Sequence, residues 1–154
     1  MAFTLQALIG REFELRDLAA THQTMQLVPL LQGLIIVPLT VVVREETGIP
    51  LLPLTPEDDS KLPAALDKLG RQVSKLGKVG YIEAEIFGGS GNQAGIVWDK
   101  QARIWGPVIS SGSINDVLKI LSVEKGPHLD EFAALDLGRH RHTDQWITNT
   151  QDPG

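Results

Sequence analysis

Residues 78–109 read KVGYIEAEIFGGSGNQAGIVWDKQARIWGPVI, and this stretch decides the fold class. Residues 81–87 and 93–98 are rich in β-branched and aromatic side chains, the composition of strands. Between them the cluster Gly88-Gly89-Ser90-Gly91-Asn92 supplies the positive-φ positions a hairpin loop needs. A second turn at Asp99-Lys100-Gln101 leads into residues 102–105, and Gly106-Pro107 punctuates the run. The pattern predicts a three-stranded meander. Side chains alternate faces along a strand, so Val79, Tyr81, Glu83, Glu85 and Phe87 share one side, and Ile82, Ala84 and Ile86 the other. The second side reads as core. The first sets two carboxylates between two aromatics, roughly 7 Å apart at the usual rise per residue.

Outward from the meander, the chain reads as covering elements. Residues 3–9 form a first strand ended by Gly10, and residues 11–21 a helix with Leu15, Leu18 and Ala19 on one face. Residues 22–43 contain no Asp, Glu, Lys or Arg, but three glutamines, a glycine and two prolines interrupt them. A buried hairpin explains them better than a membrane span: residues 25–30, a turn at Gln32-Gly33, then 34–39. Pro29 and Pro38 place those strands at an edge or a bulge. Residues 41–46 fit a strand or a helical turn. Pro50, Pro53 and Pro56 keep residues 51–55 extended, Thr55 to Asp58 resembles a helix entry, and Pro63 starts the helix proper. Leu62, Leu66, Leu69, Val73 and Leu76 then repeat at spacings of four and three, one apolar stripe of a helix over 63–76 that Gly77 ends. Ile114, Val117, Leu118 and Leu121 mark another helix, with Ser113 and Asp116 in capping-box positions. Residues 130–135 form a short helix, and Thr143 caps a last turn that holds Trp146 and Ile147 against the body. The expectation is one α+β domain over residues 1–147, with a mixed or antiparallel sheet centred on the meander, about three covering helices, and a flexible polar tail at 148–154.

Composition narrows the function classes. The 154 residues are enough for a core without metal or disulfide support, and cysteine is absent, which excludes thiolate zinc sites and cysteine nucleophiles. The N-terminus lacks the basic and apolar regions of a secretory signal, so the expected compartment is the cytoplasm. A formal net charge of −5 argues against nucleic acid, whose phosphates attract accumulated Lys and Arg. No cofactor is implied. Gly89-x-Gly91-x-x-Ala94 matches a dinucleotide fingerprint only as a string, because residues 95–98 read as strand where the fingerprint needs a helix. Ser90 likewise lacks the strand-to-helix turn of a nucleophile elbow.

The remaining candidate site combines two segments. Gly138-Arg139-His140-Arg141-His142-Thr143-Asp144 concentrates basic and titratable groups in an acidic chain. Buried carboxylates at Glu83 and Glu85 need partners, so residues 139–142 are expected to fold over that face, pinned by Trp146. Three roles fit. Arg139 or Arg141 can hold a carboxylate through a bidentate pair. The same charges, with Asp144 and the Gly89, Ser90 and Asn92 loop, can rim a protein-binding surface. Glu83, Glu85, His140 and His142 can converge on a divalent metal or serve as an acid/base pair in a small metal-assisted hydrolase.

The strings YIEAEIFGGSGNQAGIVW and LGRHRHTDQW resemble segments of uncharacterised small bacterial proteins, a resemblance to which no activity attaches. In type, a small, acidic, cysteine-free α+β chain with a meander resembles the bacterial immunity proteins, which bind and block a toxin. That likeness implies a protein partner and no catalysis.

Overall fold

The computed structural model describes residues 2–56 and 61–147. The expected polar tail at 148–154 and part of the helix entry around Asp58 lie outside the described residues. Six strands form one antiparallel sheet: β1 (Ala2–Arg11), β2 (Val28–Pro29), β3 (Leu34–Pro38), β4 (Val79–Phe87), β5 (Ser90–Asp99) and β6 (Ala102–Ser110), in the spatial order β2-β3-β1-β4-β5-β6. The α+β class is as the sequence predicts, and the alternative of a mixed sheet is resolved to antiparallel. The meander is present as β4, β5 and β6. It occupies one half of the sheet, and the two central strands are β1 and β4, paired from Ala2 opposite Phe87 to Gly10 opposite Val79.

Helices cover both faces. α1 (Glu12–Leu15), α2 (Leu18–Thr21), α3 (Val41–Thr47) and α4 (Ala64–Val73) bear on the face that carries Leu8, Tyr81, Ile96 and Trp98. α5 (Ser113–Ile120) and α6 (Glu131–Ala134) bear on the face of Leu5, Ile82, Ala84 and Val97. Both faces are therefore core, including Val79, Tyr81 and Glu83 on the side the sequence reading reserved for a site. Among the described residues no helix is long and apolar enough to cross a membrane.

Several boundaries differ for identifiable reasons. Gly10 does not end β1. The strand continues to Arg11, opposite Leu34, and the missing Cβ admits the Leu15 side chain, whose Cδ1 would lie 3.2 Å from a methyl there. The single helix expected over 11–21 is instead two short ones, broken at Arg16-Asp17. The hairpin loop tightens to Gly88-Gly89, both with positive φ, and Ser90 and Asn92 join β5. Gly106-Pro107 lies inside β6, which pairs with β5 through register shifts near Gly95, Val97 and Trp98. Ser113 is inside α5 rather than at its cap. Its Oγ donates to the Val108 carbonyl at 2.8 Å and so fixes the helix to the end of β6.

One contact shows how closely α4 meets the sheet. The indole of Trp98 fills the place a side chain would take at Gly70: a Cβ there would lie 2.1 Å from Trp98 Cε2. Trp98 Nε1 donates to Asp67 Oδ1 at 2.9 Å, and Arg71 Nε donates to Asp67 Oδ2 at 2.9 Å. Burial draws the Asp67 carboxyl upward, but the Arg71 and Trp98 hydrogen bonds outweigh it and hold the group below its ordinary range.

Candidate functional site

The two glutamates of β4 meet different fates. Glu83 is wholly buried. Its Oε2 accepts from the Leu54 amide at 3.0 Å, the Thr55 amide at 2.7 Å and the Thr55 hydroxyl at 2.7 Å. Its Oε1 accepts from the Tyr81 hydroxyl at 2.6 Å. A carboxylate offers only acceptors, and these donors replace the water it has lost. Opposite Glu83 on β1, the buried Gln6 donates from Nε2 to the Pro50 carbonyl at 2.9 Å and accepts from the Leu52 amide at 3.1 Å. The proline-rich segment 50–56 is thus fastened across the sheet by two side chains. Burial first, and the Glu83 charge and hydrogen bond after it, push the Tyr81 hydroxyl well above its ordinary range.

This arrangement corrects the expected cluster. Glu83 is balanced by neutral donors, and among the described residues no Arg, Lys or His nitrogen lies within 4.0 Å of either glutamate. Arg139 stacks on Trp146, 5.0 Å from the ring centroid, and lies 3.7 Å from the Asp136 carboxylate. His140 meets Trp146 edge to face at 4.7 Å. Trp146 belongs to the core on the opposite face of the sheet from Glu83, so Glu83 and His140 cannot share a ligand. Among the described residues no group of three or more His, Asp or Glu side chains is arranged to hold a metal ion. The four-residue metal set of Glu83, Glu85, His140 and His142 is not formed.

Residues 141–143 do something else. β3 pairs only with the C-terminal half of β1, from Ala7 to Arg11, which leaves the edge of the first half of β1 uncovered. The Thr4 amide donates to the Arg141 carbonyl at 2.8 Å, the Gln6 amide donates to Thr143 Oγ1 at 3.1 Å, and Thr4 Oγ1 lies 3.0 Å from His142 Nδ1. Gln145 Oε1 steadies the segment by accepting from the Arg141 and His142 amides at 2.8 and 3.2 Å. The basic stretch is an edge cover, which satisfies strand groups that would otherwise invite pairing.

Glu85, one pleat beyond Glu83, is half-buried and does meet part of the C-terminal segment. It lines a cleft of about 280 Å³ with Thr4, Arg44, His142 and Asp144, walled by Val41, Leu51 and Leu52. Glu85, His142 and Asp144 were legible as site candidates. Arg44, Thr4 and the apolar wall were not, although Val41-Val42 at the start of a helix that exposes both is the signal that bears on them. Val41 is 51 % and Leu51 62 % exposed, which leaves apolar surface at the cleft rim. Arg44 donates to the Leu39 carbonyl at 2.9 Å and has no carboxylate within 4.0 Å among the described residues. At the far end of β4 the turn at Gly88-Gly89 and Ser90 are exposed, Asn92 is half-buried, and Phe87 is 56 % exposed.

A second cleft, about 480 Å³, lies between α2 and α4 and is lined by Glu14, Asp17, His22 and Lys75. Burial raises the Glu14 carboxyl above its ordinary range. Compared with protein-family models, with curated proteins and with solved structures, the chain matches none.

Proposed function

We propose that the chain is a non-catalytic, cytoplasmic protein-binding module, an inhibitor of the immunity type, whose contact surface is the Glu85 cleft together with the Gly88-Gly89 hairpin tip. The observation that carries this reading is the presence of exposed apolar side chains and charged groups that, among the described residues, form no ion pair, around one recess. Val41 and Leu51 rim the cleft, and Arg44, Glu85 and Asp144 line it without ion-pairing to one another within 4.0 Å. Interfaces combine an apolar centre with polar groups at the rim, and charges left unpaired in the free protein set which partner fits. Phe87 beside the hairpin turn extends the apolar surface.

The test uses the intact chain as bait in a lysate of its source organism and compares it with the double variant V41D/L51D. Both positions are exposed, so the variant should keep the wild-type melting temperature. The expected result is one protein retained in stoichiometric amount by the wild type and lost by the double variant. Retention by both, or by neither, overturns the reading.

A further inference from the structure

We infer that segment 50–56 is a strap that opens separately from the rest of the fold and deepens the Glu85 cleft when it does. Among the described residues no backbone-to-backbone hydrogen bond ties this segment to a strand. The Leu52 amide goes to Gln6, the Leu54 and Thr55 amides go to Glu83, and the Pro50 carbonyl takes the Gln6 side chain. Pro50, Pro53 and Pro56 have no amide to offer. Every such tie therefore runs through the side chains of two residues that face each other on β1 and β4. Releasing the strap breaks no rung of the β1–β4 ladder, whereas global unfolding breaks all of them.

The strap also carries a built-in bias toward release. Leu52 is held at φ +40°, a left-handed conformation that side chains other than glycine adopt at a cost and that relaxes once the Gln6 bond is gone. Burial of Leu52 and Leu54 opposes release, so the closed form dominates and the open form is a minor, local excursion.

Leu51 and Leu52 are part of the cleft wall. Their departure joins the cleft to the Glu83 carboxylate and the Gln6 carboxamide, whose oxygens have then lost the strap's amides and fit another extended backbone presenting N–H groups in the strap's place. The use of that recess rests on the binding role proposed above. The opening itself belongs to the free chain and is measured without a partner.

Amide hydrogen exchange on the full, unliganded chain tests it. The Leu52, Leu54 and Thr55 amides should exchange at least about tenfold faster than the paired amides of β1 and β4, with little response to low denaturant concentration. In Glu83→Gln, the ratio of strap exchange to sheet exchange should rise by about tenfold or more, since a charge-assisted acceptor is lost. Strap amides that exchange at the rate and with the denaturant dependence of the sheet amides in the wild type overturn the inference. So does a Glu83→Gln variant that speeds strap and sheet equally.

Discussion

Tyr81 and Glu83, two residues apart on the same face of β4, are joined inside the core by a 2.6 Å hydrogen bond from the phenol to the carboxylate. Removing the phenol leaves Glu83 three donors, all on Oε2, and takes from Oε1 the donor it has among the described residues. Tyr81→Phe should lower the unfolding free energy in urea by about 1.5–3 kcal/mol, the range for a hydrogen bond to a charged group. Glu83→Ala should cost more, because it strands two buried amides and the Thr55 hydroxyl at once. A Tyr81→Phe variant as stable as the wild type would show that the pair contributes nothing to the fold.

Alkaline titration gives a second reading of the same pair. The folded phenol ionises well above its ordinary value, first because it is buried and next because Glu83 is beside it. The unfolded phenol ionises near about pH 10, so above that value the folded state holds the proton more tightly and stability declines as pH rises. Tyr81 is the sole tyrosine of the chain, so phenolate absorbance reports on it alone. That absorbance should stay flat through about pH 10 and then appear together with the loss of tryptophan tertiary signal. A gradual titration in a still-folded protein would contradict the burial argument.

Gly70 offers a test in which two effects have opposite signs. Helix propensity alone predicts that Gly70→Ala in α4 stabilises by about 1 kcal/mol. The Trp98 ring stands where the methyl would go, so over-packing should prevail with a net loss of about 1–3 kcal/mol and a shifted tryptophan emission. Chemical denaturation followed by fluorescence measures both.

The edge cover is probed at Thr143. Its hydroxyl is the acceptor for the Gln6 amide, and Thr143→Val keeps the shape while removing the oxygen. The expected cost is about 1 kcal/mol, with faster exchange at Gln6 and little change at Ile82. An unchanged Gln6 amide would mean that the segment rests there without holding the strand.

The meander and α5 were legible because their signals are local. Alternation of side chains and the Gly88-Gly89 turn specify β4 and β5, and the spacing of Ile114, Val117, Leu118 and Leu121 specifies a helix. The place of β1 beside β4 was not legible, because their register joins residues from opposite halves of the chain and leaves no mark within either strand. Arg11 shows tertiary pairing overriding local preference: opposite Leu34 it remains in the strand, though its neighbours read as helix. At the site, the need of Glu83 for a partner was visible. Its partners were not all visible, because two of the four donors are backbone amides of a proline-rich segment, and an amide's availability is not written in the side chain that carries it.

The spatial order β2-β3-β1-β4-β5-β6 also bears on how the molecule is made. During synthesis β1 emerges before its partners: its long ladder awaits β4, and the Thr4 amide awaits Arg141. Such high contact order slows folding and leaves an apolar strand unsatisfied while the remainder is translated. Closure of β1 by residues 141–143 consequently follows the emergence of every other strand of the sheet.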